Sequence, residues 1–346
     1  MSAGFRLVRW NPAKVVYDAI LLVGVAVYIG AYLIVAHRLE PPKDLPSAID
    51  FRIRVFGSCA FLMLTIVLAI GPLARLDRRF LMVLYNRRHF GVLTFFVALT
   101  HAGFVVEWFA VQNALPSLYD EMTKASDYLK FIGFPYKTLG LVALFILFLM
   151  AGTSHDYWLA LLTPAVWKGL HMAVYVAYAL IVMHVALGIL QGDSNPPVLA
   201  MLIGGFASVT ALHLITGWRE RAGDRGRASS QEGWLAVGPP GSIPDKGARI
   251  VAAPGGERIA VFRDGSQIGA VSNLCAHQGG PLGEGRIIRG YVTCPWHGYQ
   301  YRLADGCAPA PYKEKLATYR VRIAAGVVEI DPNPLPPGTP AAISCD

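Results

Sequence analysis

Residues Asn273–Arg302 read NLCAHQGGPLGEGRIIRGYVTCPWHGYQYR. Cys275 and His277 form Cys-x-His, Cys294 and His297 form Cys-x-x-His, and sixteen residues separate the two pairs. Side chains one or two residues apart in a tight turn converge, and the intervening hairpin brings the two turns together, so four ligands are offered to a metal centre. Gly279, Gly280, Gly283, Gly285 and Gly298, with Pro281 and Pro295, allow such turns and leave backbone N–H groups directed at the centre. Around this stretch the runs ARIVAA, ERIAVF, IGAVS, RGYVTC, YRVRIA and VVEI are divided by Gly, Pro and Asp. They predict a small all-β, antiparallel domain over residues 233–333, followed by a Pro-rich extended tail at 334–346.

The chain before this domain is of another kind. Overall it is 54% hydrophobic and 16% charged, where soluble proteins carry about 25% charged residues. Windows of about 20 nearly uncharged residues recur up to Trp218 and none follows. Six spans are predicted, at Val15–Ala36, Val55–Ala74, Phe90–Val111, Leu139–Ser154, Val166–Leu190 and Pro197–Trp218, the fourth short unless it begins near Phe131. The expected fold is a membrane all-α six-helix bundle over 15–218, preceded by a cytoplasmic N-terminus at 1–14. A charged, Gly- and Ser-containing linker at 219–232 joins it to the β domain.

Arg6, Arg9 and Lys14, then Arg75, Arg78, Arg79, Arg87 and Arg88, then Arg219, Arg221, Arg225 and Arg227 fall on one face of six spans. The opposite face carries mixed or acidic loops such as SLYDEMTKASD. The positive-inside bias therefore predicts a multi-pass protein of a bacterial-type inner (cell) membrane with both termini cytoplasmic. The lipid bilayer accounts for the net charge of +8, and no nucleic-acid partner is inferred from it. The first span is long and leads into further spans, so it does not read as a cleavable signal peptide. Cys59 lies within a span as packing, Cys307 and Cys345 stand alone, and the five cysteines form no disulfide framework, which fits a reducing compartment.

Equal numbers of Cys and His also suit tetrahedral zinc, but structural zinc sites usually pair Cys with Cys and His with His. CAHQGGPL and CPWHGYQY, with one Cys and one His in each loop, resemble the Rieske family, over roughly Gly233–Pro332. The resemblance implies a [2Fe–2S] cluster with Cys275 and Cys294 on one iron and His277 and His297 on the other. Rieske subunits of quinol-oxidising cytochrome bc complexes have a further, disulfide-bonded Cys in each loop. Here Gly280 and Trp296 occupy those places, so the domain is similar to the ferredoxin-type branch. Tyr299 replaces the Ser that donates to the cluster in high-potential members, which implies a potential towards the low end of the range of about −150 to +300 mV. Rieske oxygenases need a second iron on two His and a carboxylate. After the linker the only His residues are the two cluster ligands, so a self-contained oxygenase is excluded.

Seven His precede the β domain: His37, His89, His101, His155, His171, His184 and His213. Ionisable groups inside spans are costly and point to function. His101 lies thirteen residues beyond Arg88 and His184 sixteen beyond Lys168, depths of roughly 20 and 24 Å from the cytoplasmic side, so the two can meet at one level. His89 and His171 share an inner level roughly 18–20 Å away. Two His facing one another between helices supply both axial ligands of a heme b, so one or two hemes are accommodated. Steps of twelve and thirteen residues turn by about 120° and 140°, so neither pair lies on one helical face, and tilt or different ring azimuths are required. His155 and His213 are rival inner partners. His37 reads as a solvated loop residue, Glu107 as solvated near a span end, and Arg87 and Arg88 as topology markers.

NRRHFGVLTFFVALTH and TSHDYWLALLTPAVWKGLHMAVYVAYALIVMH resemble the ferric-reductase-like transmembrane domain, including the heme-binding membrane subunit of the methionine sulfoxide reductase system. That resemblance implies heme b at His101 and His184 and makes His171 an inner ligand, while His89 stands where those subunits are usually apolar. Relatives often append flavin and nicotinamide domains, but VAAPGGER lacks the spacing and βαβ context of a dinucleotide fingerprint. The expectation is transmembrane electron transfer from a cytoplasmic reductase or ferredoxin, through the cluster and heme, to a periplasmic protein, quinone or ferric chelate. Flow in the opposite direction, from quinol or an outer donor, and a membrane-bound redox sensor are the alternatives.

Overall fold

A computed structural model of the chain describes all residues except 1–11, 81, 82, 85, 130–133, 155–157, 159–161, 163, 192–195, 226–229, 232, 255, 278, 297 and 346. Its helices are α1 (Pro12–Leu39), α2 (Leu45–Leu76), α3 (Arg87–Val111), α4 (Leu115–Thr123), α5 (Tyr136–Gly152), α6 (Pro164–Met172), α7 (Val174–Gln191) and α8 (Pro196–Arg225). Among the described residues, five stretches are long and apolar enough to cross a membrane: Val15–Leu39, Leu45–Leu76, Arg87–Val111, Val166–Ile189 and Pro196–Arg219. The protein is a multi-pass membrane protein. The fourth expected span corresponds to α5, whose 17 residues reach only about 25 Å. It is apolar beyond Thr138 but shorter than the other five, so the count of six is approximate.

Two compact units are present. The first comprises Met1–Ala69, Asn86–Leu162 and Gly169–Ala211. Its core joins Phe61, Leu64 and Leu68 of α2 to Phe95 of α3, Leu147 of α5 and Tyr178 of α7. Phe61 stacks on Tyr178 with ring centres 5.8 Å apart. The buried hydroxyls of Thr65 and Tyr178 lie 3.1 Å apart, while Thr65 also donates to the Phe61 carbonyl. A polar pair thus sits inside the apolar bundle with its hydrogen bonds satisfied, as burial away from water demands. Large apolar side chains such as Phe145, Phe148 and Ile203 remain on the outer surface, where acyl chains replace water as the contact medium. The acidic loop SLYDEMTKASD is not wholly irregular, because much of it forms α4, which buries no side chain.

The second unit comprises Ile70–Tyr85, Thr163–Lys168 and Leu212–Asp346. Most of it is three antiparallel sheets. Strands β1 (Ser230–Gln231), β2 (Trp234–Gly238), β11 (Val327–Ile330) and β10 (Val321–Ala324) form the first in that order. The second runs β12 (Ile343–Ser344), β5 (Gln267–Ser272), β4 (Arg258–Asp264) and β3 (Gly247–Ala252), with β9 (Thr318–Tyr319) also paired to β5. The third is β6 (Arg286–Ile288), β7 (Tyr291–Thr293) and β8 (Gln300–Arg302). Within the same unit Arg75 pairs with Glu284 at 2.8 Å, and the rings of Trp167 and Trp296 lie 6.2 Å apart.

Two expected boundaries shift. The helical hydrogen bonding of α8 carries on to Arg225, so the first half of the expected linker is helix, as its Arg, Glu and Ala residues favour. The Pro-rich tail is not free. The N–H groups of Leu335, Gly338, Ala341 and Cys345 donate to the carbonyls of Thr318, Leu316, Ala304 and Ser266, and β12 caps the edge of β5. Covering that edge removes unpaired strand groups from solvent.

Candidate functional site

The β unit builds its site from two matching turns. The first follows β5 and the second joins β7 to β8. In each turn the Cys carbonyl accepts from the N–H four residues on: Gly279 to Cys275 at 2.7 Å and Gly298 to Cys294 at 2.9 Å. Each Cys N–H donates onward, Cys275 to Gly280 and Cys294 to Tyr299. Gly279 and Gly298 have φ of 70° and 68°, a left-handed conformation that only glycine adopts without strain. The two turns touch: a Cβ on Gly280 would lie 2.7 Å from the Cys294 sulfur and 3.1 Å from the Trp296 ring. Trp296 and Gly280, the two departures noted in the sequence, are thus neighbours.

Cys275 and Cys294 are almost wholly buried in one apolar cluster with Leu282, Val292 and Tyr301. His277 is half-buried and stacks on Tyr299 with ring centres 4.5 Å apart and planes 11° off parallel. His297 lies outside the described residues. Among the described residues no three His, Cys, Asp or Glu side chains close around one ion. A two-iron cluster does not require that, since its four ligands divide between two metals. The donor set, the pair of buried sulfurs and the glycine-only contact between turns fit a [2Fe–2S] cluster.

Sequence reasoning passed over Tyr301. Its hydroxyl lies 3.3 Å from the Cys275 sulfur and accepts from the His277 N–H at 3.2 Å. With the backbone as donor to its oxygen, the phenol proton is directed to the sulfur. Burial, with the Cys275 sulfur next in weight, raises the Tyr301 pKa far above the ordinary phenol range, so the proton stays in place. A donor to a cluster sulfur stabilises the reduced, more negative state. The expectation of a low potential from Tyr299 therefore has to be weighed against this second tyrosine. Tyr299 itself turns away to the Glu314 carboxylate. The missed signal was local: residue 301 points inward from β8 two residues beyond Tyr299, as strand alternation requires.

In the helical unit, His101 and His184 are brought together. Their ring centres stand 6.4 Å apart with planes at 82°. Two metal–nitrogen bonds of about 2 Å, plus about 1 Å from each nitrogen to its ring centre, place two imidazoles about 6 Å apart across one iron. Each ring is held from behind. Nδ1 of His101 is 2.9 Å from the Ile53 carbonyl, and Nδ1 of His184 is 2.9 Å from the Tyr136 carbonyl. A carbonyl only accepts, so Nδ1 carries the proton in both rings and Nε2 keeps its lone pair for a metal. These residues fit axial ligation of a heme.

The other histidines are placed less tellingly. His89 Nδ1 lies 2.9 Å from both carboxylate oxygens of Asp18. That contact occupies one nitrogen and orients the ring without fixing a role for the other. His171 is half-buried at the end of α6, and His213 is half-buried on α8. His37 is exposed at the end of α1, as a solvated residue should be, and His155 lies outside the described residues.

A multi-pass apolar bundle continuous with a cluster-binding β domain defines a membrane redox protein that transfers electrons. The chain belongs to the Rieske [2Fe–2S] domain family by residues 233–320, and residues 56–182 match the family of the ferric reductase like transmembrane component. It is 37% identical over 78 residues to the anthranilate 1,2-dioxygenase ferredoxin subunit of Burkholderia cepacia, covering 22% of this chain and 72% of that protein. It is 32% identical over 201 residues to the magnetosome protein MamZ of Paramagnetospirillum magneticum (strain ATCC 700264 / AMB-1), covering 57% of this chain but only 28% of MamZ. Among solved structures, the Sphingomonas yanoikuyae B1 ferredoxin is 30% identical with a TM-score of 0.26, covering 28% of this chain and 96% of the ferredoxin.

Proposed function

We propose that the protein carries electrons across the membrane between a donor at its β unit and an acceptor at the far side of the bundle. In this reading Cys275, Cys294, His277 and His297 hold a Rieske [2Fe–2S] cluster, and His101 and His184 hold a heme b. The bound groups supply one-electron carriers of tunable potential. The chain's own part is to bury the sulfurs, fix the imidazole tautomers and keep the bundle interior free of water. The observation that carries the proposal is the pair His101 and His184, each proton-locked by a backbone carbonyl and set at the separation two axial ligands need.

The favoured direction runs from a cytoplasmic reductase or ferredoxin inward to the cluster, with a periplasmic protein, quinone or ferric chelate as acceptor. Likeness to a dioxygenase ferredoxin subunit supports a ferredoxin-like, electron-carrying role for the β unit. His171 is proposed as an inner heme ligand, with His89, braced by Asp18, as its candidate partner. One observation favours the reverse flow: the Tyr301 hydroxyl lies 3.3 Å from the Cys275 sulfur, where a donor would raise the potential of a bound cluster. An equilibrium redox titration of the purified protein separates the two. A cluster more negative than the heme supports inward donation, and a cluster much more positive supports reverse flow.

A further inference from the structure

The two halves of the ligand pair repeat one another. His101 on α3 reaches the carbonyl of Ile53 on α2, and His184 on α7 reaches the carbonyl of Tyr136 on α5, with the same sequence separation of 48 and the same 2.9 Å. One helical turn beyond each carbonyl stands a glycine. A Cβ on Gly57 would lie 2.9 Å from Cε1 and Nδ1 of His101, and a Cβ on Gly140 would lie 3.0 Å from Cε1 and Nδ1 of His184. All three positions recur 83 residues later: Ile53 as Tyr136, Gly57 as Gly140, His101 as His184. The side chains at 53 and 136 are unalike, and the hydrogen bond uses only the backbone oxygen at each; the Tyr136 ring in addition lies 5.5 Å from the His184 ring.

Neither glycine is explained by backbone conformation, since both lie inside helices, where glycine is disfavoured relative to alanine. The close approach explains them. Gly91 and Gly103 on α3 have nothing within 4 Å of a built Cβ, so proximity to an imidazole is not general to glycines of the bundle. The offset also stops at this level: Arg88 and Met172 stand at the positions matching His171 and His89.

We infer that one device used twice seats the ligand pair, and that Gly57 and Gly140 are positioning residues that fix the two imidazole planes near perpendicular about a shared heme. The inference rests on the proposed heme between His101 and His184. Each ring lies in a slot between a carbonyl that sets its rotation and a glycine that lets it lie flat against the neighbouring helix. An added methyl at 2.9–3.0 Å forces the ring to turn or withdraw. Perpendicular imidazoles leave the two iron d orbitals that engage them nearly degenerate, which makes the g anisotropy of the ferric low-spin heme large.

The test uses the full chain in detergent, with ferric EPR and the heme midpoint potential as readouts. The unmutated protein should give a strongly anisotropic low-spin signal. Gly57→Ala and Gly140→Ala should each shift the largest g value and the midpoint potential, whereas Gly103→Ala should shift neither. A merely structural role would lower thermal stability and leave both readouts in place. Wild-type readouts in both alanine variants would overturn the inference, as would an unmutated signal typical of parallel planes. The unmutated spectrum alone decides should the variants fail to assemble. By contrast, a protein without heme, or heme retained unchanged in His101→Ala, would sink the functional reading itself.

Discussion

Tyr301 directs its hydroxyl at the Cys275 sulfur across 3.3 Å while its oxygen takes the His277 N–H. One residue thereby ties both ligands of the first turn to β8. Removing the hydroxyl in Tyr301→Phe leaves the ring packing in place and deletes one donor to sulfur. A differential loss of about 1 kcal/mol corresponds to about 40 mV for a one-electron couple, so the cluster potential should fall by that order. Protein-film voltammetry or an EPR-monitored titration reads the shift, and an unchanged or higher potential would remove Tyr301 from the tuning of the cluster.

Gly280 should not tolerate a side chain. A methyl there meets the Cys294 sulfur at 2.7 Å and the Trp296 ring at 3.1 Å, and overpacking of this kind typically costs about 1–3 kcal/mol. Gly280→Ala should therefore lose the cluster's visible absorption faster on warming than the unmutated chain does. Gly290→Ala is not a clean comparison, because its φ of 79° strains any side chain. Gly241→Ala, with nothing within 4 Å of its Cβ, is the fit control and should behave as wild type.

The turn after β8 makes a pH-dependent contribution. Burial pushes the Asp305 carboxyl upward, but the Cys307 N–H and the Arg302 guanidinium outweigh it and hold Asp305 below the usual carboxylate range. A depressed folded-state pKa adds stability that is present above the unfolded value of about 3.9 and is lost as pH falls through the folded value. Asp305→Asn should thus melt earlier than wild type at pH 6, with the gap closing as the pH is taken down to about 3. Thermal melts followed by circular dichroism at several pH values measure the gap; a gap independent of pH would show that the charge is not responsible.

Within the bundle, Tyr178→Phe removes a hydroxyl that lies 3.1 Å from the Thr65 hydroxyl. Thr65 keeps its bond to the Phe61 carbonyl, so the loss should stay near about 1 kcal/mol rather than the larger penalty of an orphaned buried group. Thermal unfolding in detergent reads it, and a loss of several kcal/mol would mean that the hydroxyl holds more of the bundle than this pair.

What could be read from the chain divides by range. The two Cys-His turns are local: residues within six positions of each other, with glycines where φ must be positive, carry their own geometry, so the β domain and its family were legible. The spans were legible because the bilayer imposes about 20 apolar residues on each helix. The depth arithmetic that put His101 and His184 at one level used only rise per residue, and the structure places their rings 6.4 Å apart. The partners of those rings were not legible. Ile53 and Tyr136 act through backbone oxygens, which leave no mark in residue type, and the glycines at 57 and 140 gain meaning only once the neighbouring helix is in place. For a similar reason the proline content of 334–346 predicts the extended path of the tail but not its pairing with β5 through Ile343 and Ser344.

The proposed function requires His101 and His184 to hold a heme in the same polypeptide that holds a Rieske cluster. The direct measurement is the reduced-minus-oxidised absorption spectrum, with iron analysis, of the purified protein beside His101→Ala and His184→Ala. The unmutated protein should show b-type heme and Rieske bands together, and each variant should lose heme absorption while keeping the cluster. Zinc in place of iron, or heme bands of undiminished strength in both variants, would contradict it.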